Sequence, residues 1–198
     1  DFVFDPSFAF SPDEKVGACA SRDGTIYLFD MSTQQQIGEP LKGQESVHSI
    51  DFSPDGMLLA SGTDEGIVIW NVVTRQPTAE PLGDEDAFIV AFSPDGSKLA
   101  SKSRKWDGSI RLWNPTNGQQ IGEPLMGMKY ISSIAFSPDG LTLACGDFDG
   151  RIYLWNLTKS QQVGEPLQRP ESVRIGALAF SPDGSMLASG NHDGHAWS

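Results

Sequence analysis

The chain has 198 residues, 38% of them apolar and 20% charged, with 21 glycines set at recurring turns, a balance that belongs to a folded unit rather than a disordered tail. Fourteen basic residues against 26 acidic ones leave a formal charge of −12, which repels phosphate backbones and anionic membranes and so speaks against nucleic acid or a membrane as partner. No window approaches the roughly 18 to 20 apolar residues that span a bilayer, and no secretory pattern opens the chain.

The first landmark is "FSPDE" at Phe10, which returns as "FSPDG" at Phe52, Phe92, Phe136 and Phe180, at intervals of 42, 40, 44 and 44 residues. A fixed period of this size marks a repeat architecture. Each copy is followed by a second landmark: "RDGTIYLF" at Arg22, "DEGIVIW" at Asp64, "WDGSIRLW" at Trp106, "FDGRIYLW" at Phe148 and an altered "HDGHAWS" at His192. A third closes four of the periods, as "IGEPL" at Ile37 and Ile121, "TAEPL" at Thr78 and "VGEPL" at Val163.

In "FSPDG" the proline presets φ at the first corner, the aspartate suits the second, and the glycine takes the positive φ that ends a tight hairpin. Glu14 stands where the other turns have glycine, at a cost of roughly 1 kcal/mol if it sits left-handed. In repeat four the turn joins strands at Ser132 to Phe136 and Leu141 to Gly146; a second turn on Asp149 and Gly150 leads to a third strand ending at Trp155. "QQVGEPL" supplies a looser fourth strand, with Pro166 tolerable at a sheet edge. The third strand is apolar on both faces, with Ile152 and Leu154 on one and Tyr153 and Trp155 on the other. A lone sheet in water keeps one face polar, so neighbours must cover both faces here, and radial stacking of four-stranded antiparallel sheets into a β-propeller does so. The reading is thus all-β, a single domain over 1–198, with blades at 5–41, 46–82, 86–125, 130–167 and 173–198, the last incomplete.

The period, the "FSPDG" turn, the "LASG" strand at Leu59 and Leu187, and the "DG-x-I-x-L-W" strand resemble the WD-repeat family across essentially the whole chain, although the family's terminal Trp-Asp is Phe-Asp at Phe29 and Trp-Asn at Trp70, Trp113 and Trp155. The "IGEPL" variant resembles closely spaced repeats in large multidomain bacterial and fungal proteins, often downstream of nucleotide-binding signalling domains. The family's Gly-His pair is replaced by "GQ" at Gly43, "GD" at Gly83, "GM" at Gly127 and "QR" at Gln168. The buried hydrogen-bond relay of His, Ser, Asp and Trp implied by the resemblance is therefore incomplete in every repeat, and stability is expected to lean on packing. Repeat five stops inside its third strand. The resemblance implies closure by an N-terminal strand, here Asp1 to Phe4; a piece of a larger ring and self-association through incomplete blade ends are the alternatives.

Catalytic patterns are absent. The aspartates Asp13, Asp55, Asp95, Asp139 and Asp183 are turn formers a whole repeat apart, unlike the close carboxylate pairs of glycosidases. His192, Asp193 and His195 have the types for a zinc site but are read as a plain hairpin, His48 falls in a strand of repeat two, and no metal or cofactor is expected. Cys19 and Cys145 share one repeat position, where Ser61, Ser101 and Ser189 stand elsewhere; too far apart to bridge, they read as small buried thiols in a reducing, cytoplasmic setting. The sequon at Asn156 points the other way.

What remains is recognition. The residue before the second turn varies, as Arg22, Trp106, Phe148 and His192, on a constant scaffold, and exposed variable turns are where binding sits. Repeat three adds two residues to this turn, and Lys98, Lys102, Arg104, Lys105 and Arg111 concentrate five of the fourteen basic residues around Trp106. Lys129 and Tyr130 fall on the same face if the family's topology holds. The expected function is non-catalytic recognition of a protein or peptide partner there, through Arg22, Lys102, Arg104, Lys105, Trp106, Lys129, Tyr130, Phe148 and His192. The alternative is a sugar-binding propeller, which would repeat one aromatic platform in every blade.

Overall fold

A computed structural model of the chain describes residues 7–21, 23–43, 46–83, 86–103, 109–128, 130–168, 173–191 and 196–197. The expected closing strand at Asp1 to Phe4 lies outside them.

Each repeat folds into its own antiparallel sheet. The first holds β1 (Phe8–Phe10), β2 (Val16–Ala20) and β3 (Thr25–Asp30), with β4 (Gln35–Gln36) and β5 (Leu41–Lys42) both on β3. The second holds β6 (Val47–Phe52), β7 (Leu58–Thr63), β8 (Gly66–Asn71) and β9 (Gln76–Pro77). In the third, β10 (Ala87–Phe92), β11 (Leu99–Ser103) and β12 (Ile110–Trp113) are edged by single bridges from Gln120 and Leu125. The fourth holds β13 (Ile131–Phe136), β14 (Thr142–Asp147) and β15 (Arg151–Asn156), with β16 (Gln161–Gln162) and β17 (Leu167–Gln168) on β15. The fifth holds β18 (Ile175–Phe180), β19 (Leu187–Asn191) and β20 (Ala196–Trp197).

The looser fourth strand is a strand broken in two. Its first piece ends where the Ile37, Thr78, Ile121 and Val163 amides donate to the third strand. Gly38, Gly122 and Gly164 then turn with φ of 61°, 66° and 66°, and the glutamines two residues earlier donate to their carbonyls. The proline therefore falls in the gap, where no ladder hydrogen bond is asked of it.

The "FSPDG" turn has the expected backbone, with φ near 70° at Gly56, Gly96, Gly140 and Gly184 and 58° at Glu14. Its serine locks it. The Ser53 hydroxyl donates to Asp55 Oδ1 at 2.6 Å while accepting the Leu58 amide at 2.9 Å, and the other four turns repeat the pattern. That hydroxyl, with backbone amides behind it, holds the Asp13, Asp95 and Asp183 carboxyls at about 2. The turns are thus fully formed above the ordinary carboxylate range and lose this support as pH falls toward 2.

No blade owns a core. The buried clusters lie between blades: Ile26, Leu28 and Leu41 of the first meet Ile50, Phe52 and Trp70 of the second, and Ile67 and Ile69 of the second meet Val90, Phe92 and Leu99 of the third. Ile110 and Leu112 meet Met128, Ile131 and Trp155, and Ile152 meets Ile175. The inner strands follow one another, β1 beside β6, β6 beside β10, β10 beside β13 and β13 beside β18. The turns stack too, since a Cβ built on Gly56, Gly96, Gly140 or Gly184 would lie 3.5 to 3.7 Å from the proline of the preceding turn.

Among the described residues, the first and last sheets of this arc each leave one face uncovered. Phe10 is 51% exposed whereas its equivalents Phe52 and Phe92 are 5% and 7% exposed. A Cβ on Gly62 would meet the Ala87 carbonyl oxygen at 2.5 Å and one on Gly146 would meet Ile175 Cγ2 at 2.5 Å, while one on the equivalent Gly190 meets nothing within 4 Å among the described residues. Gly62→Ala and Gly146→Ala are therefore expected to force blades apart and lose about 2–3 kcal/mol, and Gly190→Ala to change stability by no more than about 0.5 kcal/mol. Urea midpoints check this, and an equal loss at Gly190 would mean that the last blade's face is covered.

Candidate functional site

The second turns and the leading ends of the inner strands share one face. Arg22, Arg104, Lys105, Trp106, Lys129 and His192 of the expected site lie outside the described residues, as do Asp193 and His195. Lys102, Tyr130 and Phe148 are described.

Tyr130 and Phe148 come together. Tyr130 stands just before β13 with φ 54°, and the Phe148 amide donates to its carbonyl at 3.1 Å. Their rings lie 6.4 Å apart at 31°, 47% and 38% exposed. Arg174, absent from the expected site, completes the group from the leading end of the next blade, its Cζ 4.4 Å from the centre of the Phe148 ring. The signal for Arg174 was register: it stands one residue before β18 as Tyr130 stands one before β13.

Beneath the rings the carboxylate of Asp147, 1% exposed, anchors the turn. Its Oδ1 accepts the Asp149 and Arg151 amides at 2.9 and 2.8 Å, its Oδ2 accepts the Tyr153 hydroxyl at 3.2 Å, and the Arg151 guanidinium lies 3.8 Å away. Arg151 also reaches the exposed Asp149 at 3.3 Å. Burial, ahead of the carboxylate, raises the Tyr153 phenol.

Lys102 sits elsewhere. It is buried in β11, its ammonium 5.6 Å from the centre of the Phe88 ring. Phe88 and His48 occupy β-bulges of β10 and β6, where the register slips by one residue. The slip brings His48 to Phe88, ring centres 5.4 Å apart, and His48 Nε2 to within 2.7 Å of Asp64 Oδ1. This second cluster, between blades two and three, was illegible as a site because a bulge is decided by the neighbouring strand.

The family relay survives in part. Trp70 Nε1 donates to Ser61 Oγ at 2.9 Å and Trp113 Nε1 to Ser101 Oγ at 2.8 Å. In blade four the serine is Cys145, and Trp155 Nε1 turns to Met128 Sδ at 3.2 Å, in the place of the missing histidine. Cys145 is buried and its thiol strongly raised by desolvation; Cys19 is half-buried, and both are free. Among the described residues no group of His, Cys, Asp or Glu is set to hold a metal ion, and no helix is long and apolar enough to cross a membrane.

These sheets define blades of a β-propeller. The chain belongs to the WD-repeat family: the model described as WD domain, G-beta repeat matches residues 6–30, 34–71, 86–114, 122–156 and 164–197. It is 31% identical over 162 residues to the periodic tryptophan protein 2 homolog of Neurospora crassa, covering 70% of this chain and 18% of that protein. It is 30% identical to an uncharacterized WD repeat-containing protein of Synechocystis (69% and 39% covered) and 31% identical to transducin beta-like protein 3 of Bos taurus (69% and 18%). The chain thus spans less than half the length of these relatives. Proteins of this family are typically interaction scaffolds and generally non-catalytic.

The joint between blades two and three carries a titrating group. The half-buried Asp51 on β6 accepts the Phe92 amide at 2.7 Å, and burial pushes its carboxyl up to about 6 despite that bond. A folded value above the unfolded one of about 3.9 means that the native state holds the proton longer, so the contribution of Asp51 to stability is fully present below about pH 4 and is lost as pH rises through 6. Asp51→Asn keeps an acceptor and removes the charge. It should stabilise the chain by about 1–2 kcal/mol at pH 7.5 and change little at pH 4; urea midpoints at the two pH values check this, and a pH-independent difference would refute it.

Proposed function

We propose that this chain is a non-catalytic recognition module that binds a protein or peptide partner on its turn face. The observation that carries the reading is the exposed Tyr130–Phe148 pair, raised on a turn whose backbone is held by the buried Asp147. Aromatic rings held by a rigid support lose little freedom on binding and are enriched among the residues that carry interface energy. In the sequence, Arg104, Lys105 and Trp106 belong to the corresponding turn of repeat three, and Lys129 precedes Tyr130. Arg22 and His192 hold the matching positions in blades one and five.

A sugar-binding propeller would use one platform in every blade; the residues at this position differ from blade to blade, which favours a single composite protein site. Two free cysteines, one deeply buried, suit a cytoplasmic location. A partner recovered by the immobilised chain and mapped by cross-linking tests the reading. The Tyr130→Ala/Phe148→Ala double variant should lose that partner by at least about tenfold at unchanged melting temperature, while Val163→Ala/Leu167→Ala on the outer edge keeps it. Equal recovery by both would discard the turn face.

A further inference from the structure

Arg174 is out of keeping with the electrostatics of the chain. The formal charge is −12, yet among the described residues no carboxylate stands within ion-pair distance of this guanidinium. Its Nε is buried and meets no hydrogen-bond acceptor among them. Its described contact is the face of Phe148, at 4.4 Å. The nearby acids of blade four are engaged: Asp147 with two amides, Tyr153 and Arg151, and Asp149 with Arg151. A guanidinium carries five donors and leaves its edge free when its face rests on a ring. Leaving such a group uncompensated at a half-buried position is costly unless something supplies the acceptor.

We propose that Arg174, its guanidinium over the Phe148 ring that also neighbours Tyr130, is the anchor for a carboxylate side chain in an acidic segment of a protein partner. The assignment rests on the turn face being the partner-binding face and names the chemistry it selects. An acidic segment is the favoured occupant because a carboxylate matches the guanidinium fork in shape and charge, and because Tyr130 and Phe148 offer apolar area to the residues beside it. The general negative charge of the chain then acts as a filter: anions are repelled at long range and accepted only where a desolvated cation meets them. Arg174 is a positioning and specificity residue of this face.

Fluorescence anisotropy with labelled hexaglutamate, hexaserine, hexalysine and hexathymidylate, at about 0.15 M salt, tests it on the full chain. Hexaglutamate should bind in preference to the other three. Arg174→Gln should weaken it by about tenfold, and Arg174→Lys, which keeps the charge and loses the fork, by about threefold. All variants should melt with the parent chain; where Arg174→Gln does not, Arg174→Lys and Phe148→Leu carry the comparison. Equal binding by parent and Arg174→Gln, or no preference for hexaglutamate, overturns the anchor, and preference for hexathymidylate replaces it with a phosphate site. A mapped partner lost by Tyr130→Ala/Phe148→Ala but retained by Arg174→Gln would overturn the anchor alone, whereas one retained by both would overturn the face itself.

Discussion

Everything in this chain depends on how closely one blade can lie against the next. The second strand of each blade supplies the contact, and small residues recur there: Ala18, Ala60, Ala100 and Ala144 are each no more than 2% exposed. At Gly62 and Gly146 the next blade occupies the space a side chain would need. A four-stranded sheet of this size is too thin to bury a core of its own, so the hydrophobic gain is realised at the joints between blades. Repetition of the sequence follows from this. Each blade must be both a knob for one neighbour and a hole for the other, and only a repeated pattern satisfies both demands along the chain.

The same constraint decides where the sequence is free to vary. Inner strands, second strands and the serine-locked turns are committed to packing and hydrogen bonds. The leading ends of the inner strands and the tips of the second turns vary more: a bulge recurs at His48, Phe88, Ser132 and Gly176 with a different residue each time, Tyr130 is left-handed and Phe148 is exposed. The joints tolerate some electrostatic strain. Asp51 gains a backbone donor from Phe92 across its joint and loses water in the exchange, and the direction of its pKa shift says that the loss is larger.

Much of this was legible in the residues. Period, turn chemistry and two-faced apolar strands lead to stacked blades, because each expresses a local rule that tertiary structure reinforces. The serine in "FSPDG" was legible in principle, as a hydroxyl two residues before an aspartate. The broken outer strand was less so, since Gly38, Gly122 and Gly164 read equally as a loose end. Met128 was beyond reach without the fold, and of Arg174 only its register with Tyr130 was legible. Met128 answers an indole that lies 27 positions away, and Arg174 acquires its setting from a ring on a different blade. Side chains that act across a joint leave no local signal in either blade.

That last class of residue also explains the asymmetry of the turn face. The column just ahead of the inner strands reads Ser46, Asp86, Tyr130 and Arg174 along the chain. At blade two the position is a small hydroxyl, and at blade three an acid that is met within its own blade, for Asp86 Oδ1 accepts the Ser103 hydroxyl at 2.9 Å. At blade four the position becomes aromatic, and at blade five cationic, where it lies over the ring that the previous blade presents. Asp86 is answered inside its own blade, while Arg174 crosses to the ring of the blade before it, so one rim position makes a different contact in each of these blades.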